Sequence, residues 1–312
     1  MRIQLALIAF GTLITTAAAA GPPGKLLAQI LNGKALTARQ TLVPMLATGP
    51  NDPSANVLMG MALSVEGKHN DAMIYYRAGE AAPMYWDQCV SYHAESLRYS
   101  GQPGQAAALR DLQLLAPDLD AEGLIWLEKA DDHRAAGELD QAWEAASQAL
   151  ALRPLGIKAH AVLADIAMDA GQLELAEGHL FLAEKRIEGA APPRLYLTQA
   201  RLYLAQGEHA RALELVKKAR EQRRWLVEGV YLHTMVLLAM GDVSGASSVL
   251  NKPKLNPKQS PPVLLARVHL LIAQGKIKQA QQAWHVLQEL APGTVMFPEY
   301  VPGLSPTPEL PK

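Results

Sequence analysis

Eight glycines recur along this chain at intervals of 34, 34, 36, 34, 36, 34 and 34 residues: Gly33, Gly67, Gly101, Gly137, Gly171, Gly207, Gly241 and Gly275. Five residues after each stands an alanine, at Ala38, Ala72, Ala106, Ala142, Ala176, Ala212, Ala246 and Ala280. So regular a beat restricts the chain to a stack of like units, each packing on its neighbours. Between successive glycines lie two stretches with helical apolar spacing. In the unit that opens at Gly123 they are Leu124–Ala136 and Glu138–Leu152. Leu124, Leu127 and Ala130 share one face, and Leu139, Ala142, Ala146, Ala149 and Leu150 share another. The glycine falls where the first helix ends and the chain reverses, a turn that needs the left-handed backbone. The alanine lets the two helices cross closely, where a bulkier side chain would overpack at a cost of about 1–3 kcal/mol.

A helix–turn–helix unit of about 34 residues with small residues at fixed offsets resembles the tetratricopeptide repeat. In that register Gly60, Ala94, Ala130, Ala164 and Ala200 take the small position of the first helix. Pro50, Pro154 and Pro292 take the closing proline, and Pro83, Pro117 and Pro257 fall one residue early. Units then begin at Pro53, Asp87, Gly123, Ile157, Pro193, Val227 and Pro261, after a short leading unit around Gly33. The resemblance implies an all-α, right-handed superhelical solenoid of antiparallel helix pairs over residues 21–294, with about seven full repeats. Departures are local. The family's large aromatic appears only as Trp126 and Tyr196, and Pro253 falls inside a second helix, where proline removes a donor. The extra residues of the two longer intervals fit the inter-unit turns near Pro117–Glu122 and Glu188–Pro193.

The net charge of −1 leaves no electrostatic footprint for nucleic acid or an anionic membrane surface. Residues 1–20 read as a secretory leader, with Arg2 at its start, an apolar Ile3–Ile14 and a small-residue Ala18–Ala20 cleavage site. Uncleaved, the same segment is an anchor; beyond it no apolar run is long enough to span a bilayer. Cys89 is the only cysteine, so no intrachain disulfide forms, and packing is its expected role. Together these features point to an exported, periplasmic protein.

Chemistry is sparse. The nine histidines do not cluster; His133 lies beside Asp131 and Asp132, but no His-x-x-x-His or Glu-x-x-His spacing gives it a second ligand on the same face, and neither a Gly-x-Ser-x-Gly elbow nor a phosphate loop is present. No catalytic residue, metal or cofactor is expected. The basic run Lys217, Lys218, Arg220, Arg223 and Arg224 reads as a solvated helix end.

What the resemblance implies about binding is a concave groove lined by the first helices. Its slots carry Gln88, Ser91, Glu95, Arg98 and Tyr99 from one unit, then Asp131, Arg134, Lys158, Asp165 and Asp169 from the next two. Further along they carry Arg194, Leu197, Arg201 and Leu204, then Tyr231, Met235 and Leu238. A polar half thus adjoins an apolar half, suited to an amphipathic or extended protein segment unless the closing superhelix fills the apolar half itself. The family's chaperone-tail clamp needs lysine and asparagine at the fifth and ninth slots of the first helices, where this chain has neither, so capture of an acidic C-terminus is not expected. The resulting expectation is a protein-binding scaffold of the envelope, serving an export, pilus or polysaccharide assembly. A ligand-binding protein or enzyme with its site in the groove is the alternative.

The segment 295–312 is proline-rich yet carries Val295, Met296, Phe297, Tyr300 and Val301. Such a tail suits the apolar end of the last helix pair, where a solenoid needs a cap. Deleting residues 293–312 should therefore lower the melting temperature followed by circular dichroism; an unchanged melt would leave the tail free for a partner.

Overall fold

The computed structural model describes residues 22–82, 89–115, 123–152, 156–187, 189–222, 227–251 and 261–290. Sixteen α-helices, and no strand, occur among these residues. They pair as α1 (Pro22–Leu31) with α2 (Ala35–Thr48), α3 (Pro53–Val65) with α4 (His69–Gly79), and α5 (Val90–Tyr99) with α6 (Pro103–Leu114). Then come α7 (Leu124–Ala135) with α8 (Leu139–Leu152), α9 (Ile157–Asp169) with α10 (Leu173–Glu184), and α11 (Pro193–Ala205) with α12 (His209–Gln222). The series closes with α13 (Val227–Ala239) and α14 (Val243–Leu250), then α15 (Pro261–Ala273) and α16 (Ile277–Leu290). The chain is a right-handed solenoid of helix pairs, its first helices on the inner curve and its second helices outside. The leader, Gln88, Pro253 and the tail 295–312 lie outside the described residues.

Every turn is built alike. The eight glycines have φ between +71° and +79°. The residue after each glycine donates its N–H to a carbonyl five residues earlier, as Lys34 does to Gln29 at 2.8 Å and Glu138 to His133 at 2.9 Å. This closure satisfies carbonyls that the ending helix leaves open and sets the angle of return. All eight alanines five residues on have no exposed surface. The small position facing them is just as tight. Ala94, Ala130, Ala164 and Ala200 are fully buried there, and a Cβ on Gly60 would stand 3.0 Å from the Tyr76 ring. The last two units place Thr234 and Val268 in that slot, both fully buried.

Proline opens several helices, at Pro53, Pro103, Pro193 and Pro261, where its missing N–H costs nothing. Asp52 caps α3, its Oδ1 accepting from the Ser54 and Ala55 amides at 2.9 and 3.2 Å. The predicted proline-broken helix takes a different form. Helix α14 stops at Leu250, ahead of Pro253, and with 8 residues it is the shortest described second helix. Between most units, apolar side chains of one pair pack on the first helix of the next, so the core is a band broken into five clusters along the stack. Cys89 belongs to this band, fully buried with its Sγ 3.8 Å from Met61 Sδ. No helix among the described residues is long and apolar enough to cross a membrane.

The two halves of the repeated pair should fail in different ways. Ala142→Ile adds bulk at a closed crossing and should cost about 1–3 kcal/mol. Gly137→Ala meets no atom within 4 Å and should cost about 1–2 kcal/mol through backbone strain alone. Urea midpoints of the two variants, followed by circular dichroism, measure both.

Candidate functional site: the inner charge lattice

The first-helix slots identified from sequence fall into three groups. The first is a lattice of aspartates and arginines that joins α5, α7, α9 and α11. Arg194 takes the Asp131 carboxylate with two donors, Nη1 to Oδ2 at 2.5 Å and Nη2 to Oδ1 at 2.8 Å, and reaches Asp165 Oδ2 at 2.9 Å. Arg201 forks between two acids of α9, donating to Asp165 Oδ1 at 2.5 Å and Asp169 Oδ1 at 2.7 Å. Arg134 donates to Asp169 Oδ2 at 2.5 Å and to Asp131 Oδ1 at 3.2 Å. Thr198 adds its hydroxyl to Asp165 Oδ2 at 3.2 Å. On the other side of α7, Arg98 donates to Asp132 Oδ1 at 2.9 Å, and Arg110 lies 3.4 Å from Oδ2 of the same carboxylate.

These contacts set the charge states. Burial works against the anionic form of Asp131, yet Arg194, Arg134 and Arg98 override it and hold the carboxyl well below its usual range. Asp165 is shifted the same way, burial again being overcome by Arg201, Arg134 and Arg194. Asp132 goes the other way: burial dominates and lifts it to about 6 despite Arg98 and Arg110. Glu95, one turn before Tyr99 on α5, is raised to about 7, by burial first and then by the neighbouring Glu228 and Glu128 against the pull of Arg98.

The second group is a clasp. The Tyr99 hydroxyl donates to Glu228 Oε1, linking α5 to α13 over 129 residues. The ring of Tyr99 is held from both sides, stacked on His69 at 4.7 Å and lying under the Arg98 guanidinium at 5.2 Å. His69 itself faces Ser96 Oγ at 3.1 Å, at the head of a buried hydroxyl chain through Ser64 to Tyr76. Burial keeps this imidazole neutral, lowered to about 3.

The third group is apolar, and here the open-groove expectation needs correction. Leu197, Leu204, Tyr231 and Met235 are buried, with Leu238 packed half-buried against them, in the core shared by α11, α13 and α15. Their slots serve as the seam between successive first helices, so the apolar half is filled from within. Of the remaining positions, Lys158 is exposed, Ser91 is half-buried and accepts from Gln113 Nε2 at 3.3 Å, and Gln88 lies outside the described residues.

Two arrangements were hidden from the sequence. His160 and His179 face each other with Nδ1 atoms 3.1 Å apart, and Arg186 reaches His160 Nε2 at 2.8 Å. An arginine can only donate, so His160 accepts at Nε2 and offers its Nδ1 proton to His179. Among the described residues no third metal-ligating group joins them. Arg220, read as part of a solvated basic run, is instead buried with Nη1 against His233 Nδ1, while Lys218 pairs with Glu214 at 2.7 Å. Repeat-equivalent spacing alone gave no sign of either contact.

The solved structures that resemble this one are tetratricopeptide-type solenoids. The Cut9 solenoid of the APC/C hetero-tetramer Cut9–Hcn1 matches with a TM-score of 0.54 at 15% identity, over 89% of this chain and 54% of that one. Yeast Tom70 matches with a TM-score of 0.51 at 16% identity, over 88% of this chain and 61% of its own. This chain therefore spans little more than half the length of either. A tetratricopeptide repeat protein from Parabacteroides merdae ATCC 43184 gives 0.48 at 14% identity, over 85% and 93%. No family model matches the sequence, and no curated protein does. At these identities the likeness is one of fold.

The lattice stands or falls on its acids, because removing one partner strands charges already taken from water. Asp165→Asn leaves Arg194 and Arg201 sharing fewer carboxylates and should cost about 3 kcal/mol. Thermal and urea unfolding of that variant against Lys158→Ala, which should be near neutral, measures the difference.

Proposed function

We propose that this chain is a non-catalytic protein-interaction scaffold of the bacterial envelope, exported by residues 1–20 and receiving a protein partner on its inner curve. The observation that carries this reading is the row of charged groups along the first helices. The side chains of Arg98, Asp131, Arg134, Arg194 and Arg201 keep some exposed surface, Glu95 is half-buried, and Lys158 of α9 is exposed, while the Asp169 carboxylate is sealed between Arg134 and Arg201. Such a row offers charge-assisted hydrogen bonds in both signs to an extended or helical segment. The correction to the apolar half narrows the partner: it must be recognised chiefly by polar contacts. The fold shared with Cut9, solved as a hetero-tetramer with Hcn1, supports a partner-binding reading. The leader supports the envelope.

A photo-crosslinking residue placed at Lys158 on the inner curve, and separately at the exposed Phe181 on the outer helix α10, tests this in the source cells. A defined protein adduct at position 158 that is absent at 181 is the expected result. Adducts at 181 alone would remove the inner curve as the binding face, and a small molecule retained through purification would favour the ligand-binding alternative.

A further inference from the structure

His160 of α9, His179 of α10 and Arg186, just beyond the end of α10, make a contact that admits a single protonation state. Arg186 Nη1 lies 2.8 Å from His160 Nε2, and His160 Nδ1 lies 3.1 Å from His179 Nδ1. The guanidinium can only donate, so His160 Nε2 is a bare acceptor and the ring carries its one proton on Nδ1. That proton points at His179, whose Nδ1 is therefore bare and whose own proton sits on Nε2. Both imidazoles are neutral. A further proton on His160 Nε2 would face an N–H of Arg186, and one on His179 Nδ1 would face the N–H of His160. Moving the His160 proton from Nδ1 to Nε2 only transfers the clash to Arg186. We propose that this contact is a proton-sensitive joint, which fastens α10 and the turn behind it to α9 at neutral pH and fails in mild acid.

The surroundings leave an added charge little relief. His160 is buried, His179 is half-buried, and Trp143 of α8 stands edge-on to the His179 ring at 5.5 Å. Burial first, then His179 and Arg186, holds the His160 imidazole below its ordinary range, and burial does the same to His179. In the unfolded chain both rings take up protons near their ordinary pKa of about 6.5. The unfolded form therefore binds more protons as the pH falls. Stability supplied by the joint is full above about pH 6.5 and is lost below it. Arg186 also donates to Leu182 O at 3.4 Å, so the same guanidinium ties the last turn of α10 to α9.

Charged groups on the helices packed around the joint are engaged elsewhere or exposed. On α9, Asp165 and Asp169 hold the arginines of the lattice, and Lys158 is exposed. On α10, Glu174 is exposed, while Glu177 and Glu184 accept from Gln206 and Gln199. Lys185, next to Arg186, lies over the Phe181 ring. Asp140 and Glu144 of α8 are exposed. Asp131 and Arg134 of α7, and Arg194 and Arg201 of α11, belong to the lattice. Among the described residues no carboxylate offsets a charge on either ring.

Hydrogen exchange of the full chain, read by mass spectrometry and corrected for the intrinsic effect of pH, follows each helix pair separately. Between about pH 7.5 and about pH 5.0, a histidine kept neutral by the fold lowers the folding equilibrium by up to about thirtyfold. Protection of α10 should accordingly fall about tenfold or more beyond any fall in α12. The double variant His160→Gln/His179→Gln should abolish that excess, because glutamine accepts from Arg186 and donates across the pair without titrating. Asp132 and Glu95, raised to about 6 and about 7, take up protons in the fold over the same range and act in the opposite direction. They are common to both chains, so the comparison cancels them. A proton NMR titration of the native chain needs no variant: both rings should stay neutral to below about pH 6. Equal loss of α10 protection in the native chain and the double variant overturns the proposal. So does either ring titrating at about 6.5 in the folded chain.

Discussion

Zero clearance at the crossing of each helix pair is the constraint on which the rest depends. A left-handed glycine turns the chain back at a set angle, and five residues later an alanine with no exposed surface lets the returning helix lie against its partner. Because the same two devices operate eight times, the units are alike in shape, and like shapes stacked in sequence produce a uniform superhelix. The inner curve inherits its geometry from that regularity. Asp131 and Arg194 can meet as a two-pronged pair only because α7, α9 and α11 hold fixed offsets.

Polar groups on the inner curve do two jobs that compete. Arg134, Arg194 and Arg201 each reach acids of another unit, which joins the units, and their side chains stay partly exposed. Paired buried charges are seldom strong sources of stability, since desolvation offsets most of the attraction, but they are selective about arrangement. Here they reject any offset between units that would strand an arginine.

The parts of the fold visible in sequence were those fixed by sterics within one unit. Glycine and alanine have few substitutes at their positions, so their spacing exposed every turn and crossing, and each of those expectations matches the structure. The lattice was half visible: Asp131 and Asp165 occupy the same slot of consecutive units and Arg201 the same slot of the next, an alternation that could have suggested cross-unit pairs. The apolar slots misled, because Leu197 and Met235 look alike whether they face a groove or a neighbouring helix; only the superhelical spacing decides. The link from Tyr99 to Glu228 was invisible, since its existence depends on the accumulated rotation of four units. Contacts such as His160 to His179 were missed for a related reason, the histidines being searched for shared-face spacing on one helix rather than across a pair.

The reach of the lattice also says something about how the array comes apart. Linear repeat proteins behave as chains of modestly coupled segments, each able to melt with its own boundary cost. From α5 to α11, shared arginines raise that boundary cost, so the central segments gain or lose order together. The end pair α1–α2 is tied to the next unit by the ion pair of Arg39 with Glu66 at 3.1 Å, and both end pairs, α1–α2 and α15–α16, lie outside the lattice. Fraying should therefore run inward from both termini and halt at the ionic block, leaving a cooperative middle that carries the inner curve after the flanks have loosened.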